Sequence, residues 1–453
     1  MLDKLNSENR WTYAAFAIAI VVMFSVQIIR FVHEDSVPIG EESYYHIKIA
    51  KQVIEDRVFV FSPFHLLIAF IGFFIGLKLV WILLPIIVSL LLLQQFQLFL
   101  KELNFDNKEI FMVSAFFILS PVFILFSASL NVYFFSLALM LQGILALSRN
   151  EFTKANVIFA IVSLSSFYSA IVLLAFLLVY YARNHNKDLI YSMISIFFLA
   201  IIAMETIPTD HGVINLVTDL IGDLGGLLGF NIYTLILFLI GFELSWDYKA
   251  NLAYIYMFMV GLFGLAVGYN LSIDVFLLLP VCMFAVYGFI YLLQREWSSP
   301  LIRDLILLTL MSGLVISGIG SIKQVAYAEP NSGIYESLAG LDTYTDNPEY
   351  VFSYYDRSEW IEGISGMPAL YDYDNKNEEM TLNIFQSKNF EKVIDFLKEN
   401  HVRYIWFDEA MKKEFWPDRE KGLLFFLNNK DNFEEIYSSK DAELWKFIGD
   451  EQE

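Results

Sequence analysis

Glu41 and Glu42 stand immediately before Ser43-Tyr44-Tyr45-His46-Ile47-Lys48. A carboxylate in such company can take a proton from an acceptor hydroxyl or amide, or bind a divalent cation. The same two acids also suit the first turn of a helix, where the backbone dipole favours negative charge. Local sequence leaves both readings open. Further along, Tyr354-Tyr355-Asp356-Arg357-Ser358 joins an aromatic pair to an acid, and Pro368-Ala369-Leu370-Tyr371-Asp372 follows. Aromatic faces suit sugar rings, and the acid can accept a donor N–H. The strand–turn–helix of a small domain with half-buried aromatics would look the same.

Other polar positions carry less. Asn131 falls in Ser127-Ala128-Ser129-Leu130-Asn131, where an Asn also favours a turn. Asp219 and Asp223 are four apart, as a ligand pair or a solvated helix face would be. Asp274 lies at the mouth of an apolar run, a position where an acid is functional or marks the interface. His65 reads as packed or interfacial. Met and Phe stripes along the apolar runs read as packing or lipid contact.

The elements that position these residues are those of a polytopic membrane protein. Of 453 residues, 57% are hydrophobic and 18% charged, and mean hydropathy is +0.53. That excludes a soluble enzyme, a disordered chain and a secreted disulfide scaffold. A net charge of -20 excludes a nucleic-acid binder, which needs basic patches. Cys282 is the only cysteine and sits in an apolar run, so neither disulfides nor a cysteine zinc cluster is expected. Residues 324–453 hold 28 of the 50 acids and 13 of the 30 bases. The chain therefore divides into a transmembrane part, 1–323, and an acidic, water-exposed part, 324–453.

Apolar runs long enough to span predict helices near 11–32, 79–100, 110–127, 132–148, 155–169, 170–182, 188–207, 231–246, 251–270, 273–294 and 301–322. The pair 155–169 and 170–182 also reads as one helix broken near Ser165-Ser166. The run 61–76 is assigned by charge, because cytoplasmic loops collect Lys and Arg. If it does not span, Arg10, Lys101, Lys108, Arg149, Lys154, Lys249 and Arg295 fall inside, and the outer turns near 128–131, 207–230 and 271–273 carry no base. This predicts 11 spans, a cytoplasmic N-terminus and an extracytoplasmic C-terminal domain. Residues 33–78 form the first outer loop, with an amphipathic stretch and an apolar segment on or dipping into the outer face. In the tail, 350–353, 369–372, 403–407, 434–438 and 443–447 read as strands. Residues 390–400 and 422–429 read as helices, making a small α/β domain.

This layout resembles the GT-C superfamily of membrane glycosyltransferases, and within it the archaeal oligosaccharyltransferase catalytic subunits. Glu42-Ser43-Tyr44-Tyr45-His46-Ile47-Lys48 is similar to the acid, aromatics and short basic helix of that family's first outer loop. Tyr354-Tyr355-Asp356-Arg357-Ser358 occupies the place of its aromatic-aromatic-Asp-Tyr-Gly motif, keeping the aromatic pair and the Asp. Two positions differ: Asn131 stands without a neighbouring acid where the family has its second acidic motif. Leu271-Ser272-Ile273-Asp274 stands where it has an Arg.

The resemblance implies transfer of a sugar or glycan from a polyprenyl-phosphate-linked donor to a protein or glycan acceptor at the outer face, within membrane lipid. Glu42 or Glu41 would be the catalytic base, with Tyr45, His46, Asn131, Tyr355 and Asp356 binding substrate. Mg²⁺ or Mn²⁺ would be the metal, but hard cations need several oxygen ligands. No ligand is assigned beyond the reserve pair Asp219 and Asp223, so transfer is expected to survive chelation. The competing class is a catalytically inactive GT-C-like subunit, or a membrane transporter or assembly protein. A transporter should carry charged or broken helices at mid-membrane.

Overall fold

The computed structural model describes residues 2–33, 35–55, 57–184, 188–204, 221–222, 229–245, 256–257, 260–261, 271–341, 349–373, 375–416 and 422–449. Two compact units share the chain. The first comprises Met1–Val32, Phe59–Ile207 and His211–Tyr327, and the second His33–Val58, Pro208–Asp210 and Ala328–Glu453.

The first unit is helical apart from a short parallel pair of two-residue strands, Ile221–Gly222 with Phe230–Asn231. Its helices are α1 (Leu2–Val32), α3 (Pro63–Ile75), α4 (Leu77–Glu102), α5 (Asn107–Ile118), α6 (Pro121–Ala128), α7 (Val132–Ser148), α8 (Phe152–Ser165), α9 (Phe167–Asn184) and α10 (Asp188–Met204). They continue with α11 (Ile232–Ser245), α12 (Leu271–Gln294) and α13 (Pro300–Ala326); α2 (Gly40–Glu55) belongs to the second unit. By length and composition, four helices among the described residues can cross a membrane: Arg10–Val32, Leu77–Glu102, Asp274–Gln294 and Pro300–Ala326. A fifth crossing arises if α5 and α6, bent by 67°, form one span. Shorter apolar helices, of 10–17 residues, lie at most of the other positions where spans are expected, so the described residues give four or five crossings against the expected 11, and the run 251–270 lies largely outside the described residues.

Local chemistry sets the boundaries. Asp106 caps α5 through Lys108 and Glu109, and Glu109 returns the bond to the Asp106 N–H, closing a capping box. The bend before α6 has Ser120 accepting from the Phe123 N–H at 3.1 Å and Pro121 in the first turn, where its missing N–H costs nothing. The chain does break between Ser165 and Phe167, with Ser166 extended. Close packing uses small residues: a Cβ on Gly241 would lie 1.8 Å from the Phe284 carbonyl oxygen, so α11 and α12 meet backbone to backbone.

The second unit is built on a four-stranded mixed sheet. Its strands are β1 (Tyr350–Phe352), β2 (Val402–Asp408), β3 (Phe433–Ser438) and β4 (Ala442–Phe447), in spatial order β1-β2-β4-β3. β1 runs parallel to β2, and the other pairs are antiparallel. β2 is buried almost throughout, with Tyr404, Ile405, Trp406 and Phe407 in the core beside Phe352 and Phe385. Each such side chain contributes about 1.5–3 kcal/mol by leaving water. The helix Phe390–Glu399 buries Val393, Phe396 and Leu397 at helical spacing and is capped by Asn389. The stretch 369–372 differs from its strand expectation. It makes one bridge, Ala369 to Val351, and then turns where Asp372 accepts from the Asn375 N–H at 2.7 Å.

Candidate functional site

The site is assembled within the second unit around helix α2 (Gly40–Glu55). Gly40, at φ 73°, turns the chain into the helix, and its N–H donates to the Glu329 carbonyl at 3.1 Å. The amphipathic spacing puts Ser43, Tyr44, His46, Ile47 and Ala50 on the buried face. Tyr44 packs on the π-helical turn Ile361–Ser365, where a Cβ on Gly363 would stand 2.7 Å from the Tyr44 Cβ. That close approach holds the acidic first turn of α2 against the segment that follows β1.

Arg357 is the hub. Its Nε donates to Asp408 Oδ2 at 2.7 Å. Its Nη1 lies 3.2 Å from Asp356 Oδ2 and 3.5 Å from Glu41 Oε1. Its guanidinium stacks on Trp360, 4.7 Å from the ring centre. Asp408, 1% exposed, also accepts from the Met411 N–H at 2.7 Å, capping the helix Glu409–Phe415. Tyr373 donates its hydroxyl to Glu41 Oε2, and its oxygen lies 3.4 Å from the Asp356 carbonyl. Burial pushes the Glu41 carboxyl up to about 7, with Asp356 adding to the rise, against the opposing pull of Tyr373 and Arg357. At neutral pH it is therefore poised between acid and base.

A second ionic cluster anchors the middle of α2. Lys48 Nζ lies 2.7 Å from Glu362 Oε2 and 3.1 Å from Glu359 Oε2. Burial works against this ammonium, but the two carboxylates outweigh it and hold its pKa above the usual. Glu362 also accepts from the Ala369 N–H at 3.2 Å. His46 Nε2 lies 3.4 Å from Glu42 Oε1. Burial lowers His46 to about 3, so this contact is a hydrogen bond from a neutral ring and not an ion pair. Tyr45 stacks edge-on to His46 and lies under Lys48. Tyr355 is sandwiched by Tyr354, Tyr373 and Lys376.

The structure thus brings Glu41, Glu42, Tyr45, His46, Tyr355 and Asp356 into one unit. Asn131 belongs to the other. There it is 5% exposed and caps α7, accepting from the Phe134 N–H at 3.0 Å. Its amide donates to the carbonyls of Phe126 at 2.7 Å and Ser129 at 2.9 Å. Asp219 and Asp223 lie outside the described residues. Sequence reasoning missed Arg357, Tyr373, Asp408, Glu359 and Glu362 as site residues. Arg357 was visible only as a departure from a motif, and Tyr373 follows directly on the quoted Tyr371-Asp372.

The donors do not fit a divalent cation. Among the described residues no three His, Cys, Asp or Glu side chains converge as metal ligands. Glu41 and Asp356 converge, but on a guanidinium. A divalent ion about 4 Å from that group would meet roughly 8 kcal/mol of repulsion at an effective dielectric of about 20.

No family model matches the sequence, and no curated protein matches it either. Solved structures do. The Archaeoglobus fulgidus oligosaccharyltransferase in complex with zinc and sulfate matches with a TM-score of 0.63 at 12% identity, over 95% of this chain and 73% of that one. AglB from the same organism, in complex with an inhibitory peptide and a dolichol-phosphate, gives 0.61 at 10%, over 97% and 74%. The chain has the GT-C fold. ArnT from Cupriavidus metallidurans, bound to undecaprenyl phosphate, covers 98% of this chain and 99% of its own at a TM-score of 0.50 and 11% identity. The GT-C fold and the apolar helices make this a membrane protein.

Proposed function

We propose that the chain is a glycosyltransferase that moves a sugar or glycan from a polyprenyl-phosphate-linked donor to an acceptor at the outer face of the membrane. The observation that carries this reading is the GT-C fold shared, over nearly the whole chain, with structures holding dolichol-phosphate or undecaprenyl phosphate. The acidic cluster of the second unit adds chemistry to it. Residues 1–323 would be the membrane part with 11 spans, the N-terminus inside and residues 324–453 outside, as the Lys and Arg distribution favours.

Glu41 is the better base of the two first-turn acids. Its raised pKa and its place beside Asp356 and Tyr373 suit proton abstraction. The acceptor oxygen or nitrogen attacks the anomeric carbon and Glu41 takes its proton. The bond from that carbon to the phosphate oxygen breaks, and its electron pair leaves on the lipid phosphate. A single displacement inverts the anomeric centre. Tyr45, His46, Tyr355 and Asp356 line this cluster as candidate substrate contacts, whereas Asn131, whose side-chain bonds close within its own turn, is read as a helix cap.

The test is transfer from a radiolabelled polyprenyl-phosphate sugar by membranes containing the wild-type chain or Glu41→Gln. Labelled acceptor with wild type alone supports the reading. No transfer across a panel of lipid-linked donors leaves the inactive-subunit reading in its place.

A further inference from the structure

We infer that Arg357 is the resident cation of this site, occupying the position between Glu41 and Asp356 that a divalent metal would otherwise take. The consequence for transfer rests on the glycosyltransferase reading; the consequence for metal binding does not.

The geometry is that of a fixed charge. Nη1 faces Asp356 at 3.2 Å and Glu41 at 3.5 Å, so the guanidinium draws together two carboxylates that would otherwise repel each other. It cannot swing aside. Nε is bonded at 2.7 Å to Asp408, which is buried and held in turn by the Met411 N–H. The plane of the group rests on Trp360, and the side chain is only 15% exposed. Moving Arg357 out to admit a metal would leave Asp408 buried without its counter-charge, which is costly. A metal entering beside it would meet a like charge at close range.

A planar guanidinium also matches paired carboxylates better than a compact ammonium does, because its several N–H donors point in fixed directions. Arg357 acts here as a positioning residue. It sets the distance between Glu41 and Asp356 and holds down part of the rise that burial imposes on Glu41.

The experiment uses the full chain purified in detergent, with Mn²⁺ as the probe and the electron paramagnetic resonance signal of free Mn²⁺ as the readout. Wild type and Glu41→Gln should take up Mn²⁺ identically, because no site depends on Glu41. Arg357→Gln combined with Asp408→Asn removes the buried pair together and keeps a capping side chain at 408. That protein should gain one Mn²⁺ site at least tenfold tighter than any in wild type, and adding Glu41→Gln should abolish it. Arg357→Lys should still exclude the ion. Glu41-dependent Mn²⁺ binding by wild type overturns the inference, as does a folded double variant that gains no site. If the double variant does not fold, the comparison of wild type with Glu41→Gln decides alone. Transfer by wild type should persist in EDTA. A chain that transfers nothing defeats the glycosyltransferase reading and leaves the Mn²⁺ result standing.

Discussion

The first turn of α2 and the turn before α7 present the same kind of sequence signal, a polar residue beside aromatics at the end of an apolar run. Their hydrogen bonds differ in reach. All three bonds of Asn131 close within five residues of it, on Phe126, Ser129 and Phe134. Glu41 and Lys48 instead meet partners 332, 311 and 314 residues away, at Tyr373, Glu359 and Glu362. A side chain whose bonds are consumed by its own turn is holding backbone together. A carboxylate buried by a distant segment and shifted in pKa requires the tertiary fold, and such groups concentrate at functional sites.

The most severe test of this contrast is chemical. Glu41→Gln should lower transfer about a hundredfold or more, the usual size of losing a general base, while Glu42→Gln lowers it only a few-fold. Initial rates with a lipid-linked donor measure both, and equal effects would erase the distinction between the two acids.

The pH dependence sharpens it next. Transfer should rise roughly tenfold per pH unit on the acid side and level off above about 7, following ionisation of Glu41. Stability should move the other way. The folded state keeps a proton that the unfolded chain releases near the ordinary value of 4.5, so this contribution is present below 4.5 and lost as pH rises through about 7. Between pH 5 and pH 8, the melting temperature of wild type should therefore fall relative to that of Glu41→Gln. Parallel curves would mean that Glu41 titrates normally.

Packing offers a smaller effect. In Gly363→Ala the new methyl would press on Tyr44, costing about 1–3 kcal/mol as overpacking. Thermal unfolding should register the loss, and transfer should fall with it, since α2 carries Glu41. An unchanged melting temperature would mean that α2 is not held by this contact. Smallest is the cap. Asn131→Ala should cost about 0.5–2 kcal/mol, and Asn131→Asp should recover much of it. Transfer per folded molecule should not change. Lost transfer with an unchanged melting temperature would instead make Asn131 a substrate contact.

Much of the molecule follows from local sequence. Apolar runs dictate helices because a backbone in hydrocarbon must satisfy its own hydrogen bonds, and the break at Ser165-Ser166 and the capping box at Asp106 and Glu109 follow from neighbours in the chain. The alternation of the tail indicated β1, β2, β3 and β4. It also suggested a strand at 369–372, where one bridge forms and the chain then turns toward Tyr373. The acids of 41–42 and the aromatics and acid of 354–356 were recognisable by type. What only the tertiary structure decided is which charge meets which. Arg357 looked like a lost motif residue until folding placed Asp408, from the end of β2, and Glu41, from α2, on either side of it. Periodicity specifies which face of an element is apolar, because burial depends on the residue's own character. An ion pair depends equally on its partner, and the partner is supplied by a segment hundreds of residues away whose arrival no local pattern encodes.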